Sequence, residues 1–414
     1  MPSLTFRYFK KMADSLETVL FEKINGVGII TLNKPKVLNA IDLTMIRKIF
    51  PKLLEWEKDS QVKMVYIKGE GNKAFCAGGD VKAVTESAQK NDFKLGETFF
   101  REEYLMNHKI GSYKKPYIAM INGITMGGGV GLSLLGAYRI ATEKTDFAMP
   151  ETAIGLFPDV GASYFLPKLP HNLGLYLGLT GQRLKGHDVY KANIATHIIS
   201  SEKISSFEKE LLSLPHISKT SLEDLLKRYN YKDLESQTQP KLNDKTLPLI
   251  NKLFDPKSFT TKISGVPSVS FEGFRHNLIK VLYQNMSDEE SMKNTILGKA
   301  GPQLLSDPDN VKQDDDISLN TLSPTSLKLT FKLLCDSTNG NWDLNACLIH
   351  EYRLSCRLLR HNDFIEGVRA VLVDKDNKPK WKPSTLAEVK DSDINKFFEP
   401  FTPVENIEEL KILI

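Results

Sequence analysis

The strongest limit on what this chain can fold into is an alternation along its first half. Short β-branched runs are followed by stretches whose apolar residues recur every three or four positions. "GVGIITLN" (26–33) reads as a strand, and "KPKVLNA" as the loop after it. Asp42 is a natural N-cap, and beyond it Leu43, Ile46, Phe50, Leu53 and Leu54 fall at helical spacing. "KMVYIKG" (63–69), "PYIAMING" (116–123) and "YRIAT" (138–142) read as further strands, and "FKLGETFFREEYLMNHKI" as a helix. Strands alternating with helices define an α/β organisation. The character changes after about residue 200, where the chain becomes more polar and lysine-rich. "SLEDLLKRYN", "GFRHNLIKVLYQNM", "SPTSLKLTFKLLCDS" and "LNACLIHEYRLSCRLLR" predict helices there, the third starting at Ser323-Pro324. Residues 255–270 read as an extended loop, and "DPDNVKQDDDISLN" (307–320) as a solvated one. The expected organisation is a targeting or disordered segment over 1–18, an α/β core over 19–200, and a mainly helical region over 201–414.

Charge narrows the function classes. The net charge of +4 is small for 414 residues, and no dense basic stripe with interleaved aromatics appears, so nucleic-acid binding is not suggested. No apolar run reaches the roughly 18–20 residues of a membrane span. Cys76, Cys335, Cys347 and Cys356 form no CxxC pair and no metal-spaced cluster with histidine, and read as reduced thiols of an intracellular protein. The start, "MPSLTFRYFKKMADS", has three basic residues before its first acid; it suits a short mitochondrial presequence and equally a disordered start.

Four stretches could carry chemistry. In "AFCAGGD" (74–80) small residues follow a strand, so backbone N–H groups can approach a ligand; an ordinary turn is the plainer reading. "NGITMGGGVGLSLLG" (122–136) sets three glycines between a strand and an apolar helical run. That junction leaves N–H groups free at a helix start, where a developing oxyanion can be held. No Gly-Lys-Ser/Thr follows, which excludes a phosphate P-loop, and close packing is expected to explain one or two of the glycines, such as Gly127 and Gly131. "MPETAIGLFPDVGASYF" (149–165) carries only two charges, Glu151 and Asp159, each after a proline in an otherwise apolar stretch. Asp159 could cap a helix. Glu151 has no such structural use, and a partly desolvated carboxylate there suits proton transfer. Arg101, Glu102 and Glu103 read most simply as a solvated helix face. There is no G-x-S-x-G, and no histidine beside a serine or cysteine supports a Ser/His/Asp hydrolase.

"KAFCAGGD", "NGITMGGGVGLS" and "AMPETAIGLFPDVG", in this order, resemble the crotonase (enoyl-CoA hydratase/isomerase) superfamily, and more closely its 3-hydroxyisobutyryl-CoA hydrolase branch. "LTGQRLKGHDVYKANIATHII", "SPTSLKLTFKLL" and "DFIEGVRAVLVDKDNKPKWKP" agree, and the resemblance spans about residues 20–395. It implies a spiral of ββα units followed by a mainly helical C-terminal region. It also implies an oxyanion hole from the N–H groups of Gly79 and Gly128, and a CoA site along Val37, Asn39, Ala40, Ala77, Gly79 and Asp80. Glu151 and Asp159 become the catalytic acids, which with Gly128 also bind substrate, and Glu103 becomes a further substrate-pocket residue. Hydratases of the family carry a second glutamate where this chain has Gly131, so two-glutamate hydration is unavailable. After Asp159 the chain reads "VGASYF" where the family often continues with glycines.

The expected activity is therefore hydrolysis of 3-hydroxyisobutyryl-CoA, and of similar short β-hydroxyacyl-CoA thioesters, in the mitochondrial matrix as a step of valine breakdown. The resemblance implies no metal or redox cofactor, an acyl-CoA as the small-molecule partner, no nucleic acid, no membrane, and a homo-oligomer as an open state. The alternatives are a hydratase or isomerase on the same fold, and a structural subunit of the mitochondrial ribosome.

Overall fold

The computed structural model describes residues 17–231, 241–263, 266–276 and 322–412. Residues 1–16 of the N-terminal segment expected over 1–18, the loop over 307–320 and the end of "GFRHNLIKVLYQNM" lie outside the described residues. Within them the chain forms two compact units. The first draws on residues 17–80, 105–147 and 184–231, and the second on 81–104, 148–183, 241–263, 266–276 and 322–412.

A six-stranded sheet organises the first unit, with strands in the order β1-β2-β3-β5-β7-β10. β1 (Val19–Ile24) and β2 (Val27–Leu32) form an antiparallel hairpin turning at Asn25–Gly26. From β2 onward the pairing is parallel, through β3 (Met64–Gly69), β5 (Tyr117–Ile121), β7 (Tyr138–Ala141) and β10 (His197–Ile198). Every residue of β2 is buried, as expected for a parallel strand covered on both faces. α1 (Leu43–Lys58) joins β2 to β3; its N-cap is Asp42, which accepts the Met45 N–H, and it buries Met45, Ile46, Ile49, Leu53 and Trp56. One sheet face, including Val27, Ile29, Met64, Tyr66, Ile118, Met120 and Ile140, is covered by Phe207, Leu211, Leu222, Leu225 and Leu226. Those five come from the lysine-rich helices over 204–211 and 219–229. Their polar composition is that of their outer faces, and each such buried side chain contributes about 1.5–3 kcal/mol. The contacts thus group these two helices with the sheet, although composition changes at about residue 200.

A second, four-stranded sheet runs β4-β6-β8-β9, from Ala74–Cys76, Ile124–Met126, Asp146–Ala148 and Leu184–Lys185. None of these strands exceeds three residues, too short for periodicity to reveal.

The second unit is mainly helical. Ser323 caps the helix Pro324–Asn339 by accepting from Ser326 N–H, and Asp343 caps Leu344–Leu358 by accepting from Ala346 N–H. Residues 255–270 are not the extended loop expected. They form a 3-10 turn (Pro256–Phe259) and an antiparallel hairpin of Thr260–Ile263 with Val266–Val269. In the sequence the prolines and the Ser-Gly pair outweigh the β-branched content of the two strands. All four cysteines are buried and free of disulfides, and no described helix is long and apolar enough to cross a membrane.

Candidate active site

In the first unit, β4 ends at Cys76 and the chain then runs beside residues 38–41. Ala77 N–H donates to Leu38 O (3.0 Å), Ile41 N–H to Gly78 O (2.9 Å) and Asp80 N–H to Ile41 O (2.8 Å). This short parallel bridge uses the Gly78 carbonyl and the Asp80 N–H, and leaves the Gly79 N–H without an acceptor among the described residues. The triple glycine opens a short helix, α2 (Gly128–Gly131). Val130 and Gly131 N–H both reach Gly127 O, whereas the Gly128 N–H, at the helix start, has no acceptor among the described residues. Gly129 packs the helix start against the end of β4, the strand that leads into Gly79. A Cβ on Gly129 would lie 2.3 Å from the Cys76 carbonyl oxygen, so only glycine lets the helix start press against the end of β4. The close-packing glycine is therefore Gly129, not Gly127 or Gly131. Gly127 is instead a turn residue, with φ +47°.

The expected CoA-binding residues occupy this same edge. Val37 is 52% exposed, and Ala40, Ala77, Gly79 and Asp80 are partly exposed. Asn39 differs. It is fully buried, its amide donates to Glu70 O and Ala74 O, and its side-chain oxygen accepts from Lys34 N–H. Its side chain shapes the loop and is spent on it.

The acids belong to the second unit. Glu151 opens a single 3-10 turn (Glu151–Ile154) held from two sides. Ser323 N–H donates to Thr152 O (3.0 Å), and Gly155, with φ +70°, packs so closely that a Cβ would lie 2.0 Å from Asp363 O. Glu151, Asp159 and Glu103 are 5%, 4% and 2% exposed. Glu103 and Tyr104 lie on the helix Lys94–Gly111. The solvated face expected for residues 101–103 is thus corrected: consecutive helical residues point about 100° apart, so they share no face. Glu103 turns inward, while Arg101 donates to Tyr352 Oη (2.9 Å) and Glu409 O (3.0 Å).

Asp159 is not a helix cap. The next helix, α3 (Ala162–Phe165), has Gly161 at its N-cap position, and Asp159 instead accepts from the Tyr104 hydroxyl (2.7 Å). That hydroxyl also meets Ser355 Oγ at 2.7 Å. The N–H groups at the start of α3 go to Glu351: Gly161 N–H at 2.7 Å, Ser163 N–H at 3.0 Å, and the Ser163 hydroxyl at 2.6 Å. Between Asp159 and Gly161, Val160 has φ +55°, a left-handed conformation that costs a β-branched residue roughly 1–2 kcal/mol. Tyr104, Glu351 and Ser355 were missed by sequence reasoning. A signal existed for Glu351 and Ser355: with Leu348 and Tyr352 they fall at spacings of three and four, so an acid sits on the buried stripe of its helix.

Burial is the first cause of every shift in this cluster. It pushes Glu103 well above the ordinary glutamate range, with the charges of Asp159 and Glu151 adding to it. Glu151 rises well above its usual range through burial and then the charge of Asp159, against a bond from its own N–H. Asp159 is pushed up to about 6, burial outweighing the Tyr104 hydroxyl and its own N–H. Glu351 is pushed up to about 8 by burial despite its three donors. Glu103 Oε1 and Glu151 Oε2 are buried with no hydrogen-bond partner among the described residues. Buried acids with raised proton affinity are placed to give or take a proton, and an unpartnered oxygen, as on Glu103 and Glu151, is placed to hydrogen-bond a ligand.

A family match covers most of the chain. The chain belongs to the enoyl-CoA hydratase/isomerase family, whose profile matches residues 27–287 and 275–398. Among its relatives is the Xenopus laevis protein named "3-hydroxyisobutyryl-CoA hydrolase, mitochondrial", 47% identical over 92% of this chain and 88% of that protein. The Homo sapiens protein of the same name is 45% identical over 94% of this chain and 90% of its own. Of solved structures, a carnitinyl-CoA dehydratase from Mycobacterium thermoresistibile matches with a TM-score of 0.75 at 31% identity, covering 96% of this chain and 99% of that one.

Proposed function

We propose that this protein hydrolyses the thioester of 3-hydroxyisobutyryl-CoA, giving 3-hydroxyisobutyrate and free CoA, as a mitochondrial step of valine breakdown. The observation that carries the reading is Glu151: buried, with one oxygen unpartnered among the described residues, and with its pKa raised by burial, which makes its ionised form a stronger base. The names of the relatives at 45–47% identity support the substrate and the compartment.

In the proposed reaction the thioester carbonyl oxygen takes hydrogen bonds from the Gly79 and Gly128 N–H groups, each worth roughly 3–4 kcal/mol as negative charge develops there. Ionised Glu151 takes a proton from water as the water attacks the carbonyl carbon, or itself attacks to give a mixed anhydride that water then opens. Collapse of the tetrahedral intermediate breaks the C–S bond, and Asp159 passes a proton to the departing sulfur or orients the substrate hydroxyl. Glu103, through its free oxygen, fixes the small acyl group. Val37, Ala40, Ala77 and Asp80 line the CoA; Asn39 supports the loop that does so. The reaction uses no metal or redox cofactor, and involves neither nucleic acid nor membrane. A homo-oligomer is the association state to test by sedimentation.

Gly131 supplies no carboxyl group, which disfavours hydration of an enoyl-CoA, and the names of the relatives do not favour a ribosomal role. The test is CoA release from 3-hydroxyisobutyryl-CoA, followed with a thiol reagent. Glu151→Gln is expected to lose about 100-fold or more in kcat. A wild-type rate in that variant, or faster hydration of crotonyl-CoA than hydrolysis by the wild type, overturns the reading.

A further inference from the structure

Glu351 is wholly buried and lies far from Asp159 in sequence, yet its carboxylate is hydrogen-bonded by the segment just after that acid. Its carboxylate takes the N–H of Gly161 (2.7 Å), the N–H of Ser163 (3.0 Å) and the hydroxyl of Ser163 (2.6 Å). Ser355, one helical turn further along the same helix, meets the Tyr104 hydroxyl that donates to Asp159. One helix face therefore supports Asp159 twice: its side chain through Ser355 and Tyr104, and the backbone after it through Glu351.

The backbone support has a specific task. Val160 is 1% exposed and holds φ +55°, a conformation a β-branched residue leaves when nothing restrains it. The restraint lies immediately downstream, because Gly161 and Ser163 are fixed on both oxygens of one carboxylate. Ionised, Glu351 can accept from every one of these donors, and an amide cannot. Three donors converge on it, and an amide would present an NH2 group to one of them.

We infer that Glu351 is a positioning residue of the reaction: by gripping Gly161 and Ser163 it holds Val160 in the left-handed conformation in which Asp159 meets Tyr104. It touches no reacting atom. The inference rests on the reading of Asp159 as a site acid, and the test separates the two.

CoA release is measured for wild type, Glu351→Gln, Val160→Gly, the double variant and Asp159→Asn, with circular dichroism to confirm folding. Glu351→Gln is expected to lower kcat by about tenfold with KM changed by less than about threefold. Val160→Gly alone is expected to stay within about twofold of wild type, since glycine adopts the left-handed conformation freely. In the double variant glycine removes the need for the grip, and at least about half of the lost kcat, on a logarithmic scale, returns. A merely structural role would not be rescued by relaxing one residue of another segment. Where Glu351→Gln does not fold, Glu351→Asp, which keeps the charge one methylene short, is read in the same way. Wild-type kcat in the Glu351 variant while Asp159→Asn is inactive overturns this inference alone. So does a kcat loss that Val160→Gly leaves unchanged. Wild-type activity in Asp159→Asn overturns the reading of Asp159 and this inference with it.

Discussion

The burial of Asp159 has a consequence for stability that can be worked through. Its carboxyl moves from an ordinary value of 3.8 to about 6 on folding, with burial as the cause. A shift of about two units is worth about 3 kcal/mol between the two protonation states. Below about pH 4 the group is protonated in folded and unfolded chains alike, and its contribution is fully present. As pH rises the unfolded chain releases the proton first, and the folded protein loses stability until the folded group has also ionised, above pH 6. About 2 kcal/mol of the total falls between pH 4.5 and 8. Asp159→Asn removes this loss and keeps an oxygen to accept from Tyr104. An amide NH2 left without an acceptor costs about 1–3 kcal/mol, a cost that does not vary with pH. The quantity to measure is therefore the difference in melting temperature, variant minus wild type, against pH. It should rise by about 2–3 °C from pH 4.5 to 8, given an unfolding entropy of about 2.1 cal/mol/K per residue over 414 residues. Ionisation of Glu103 and Glu151 acts in the same direction, since their charges and that of Asp159 repel. A flat difference, or one that falls as pH rises, would refute the argument, because it would mean that the anion is the form this site stabilises.

Two further predictions test the parts around the acids. Tyr104→Phe removes the hydroxyl that holds the Asp159 pKa down, so the limb of the rate–pH profile that reports Asp159 should move to higher pH, with a loss of about 1 kcal/mol in stability; an unmoved profile would show that the hydroxyl does not tune the acid. Gly129→Ala forces a Cβ against the Cys76 carbonyl and displaces the Gly128 N–H, so kcat should fall by about 10–100-fold in a protein whose circular dichroism is unchanged; near-wild-type turnover would remove Gly128 from the oxyanion hole.

Much of the local structure is legible in the sequence because its causes are local. Asp42 and Ser323 cap helices where their spacing to the following apolar residues says they should, and the buried runs of β2, β3 and β5 announce themselves by composition. Glu151 and Asp159 stand out as two charges in an apolar stretch, and the family resemblance supplies their roles. The environment of the acids is not local. Whether Glu103 faces water or a core depends on what packs against its helix, and neither of its sequence neighbours says so. Asp159 looks like a helix cap until Glu351, 190 residues beyond Gly161, is seen to take the donors that a cap would have satisfied. The strands Ala74–Cys76 and Ile124–Met126 are too short to carry a pattern, and the tight contact of Gly129 with Cys76 exists only once those strands pair. Residue identity and spacing thus determined which groups are available. Tertiary packing decided which of them lose water, which hydrogen bonds they keep, and so where their protons sit, because desolvation depends on everything that surrounds a group and not on its place in the chain.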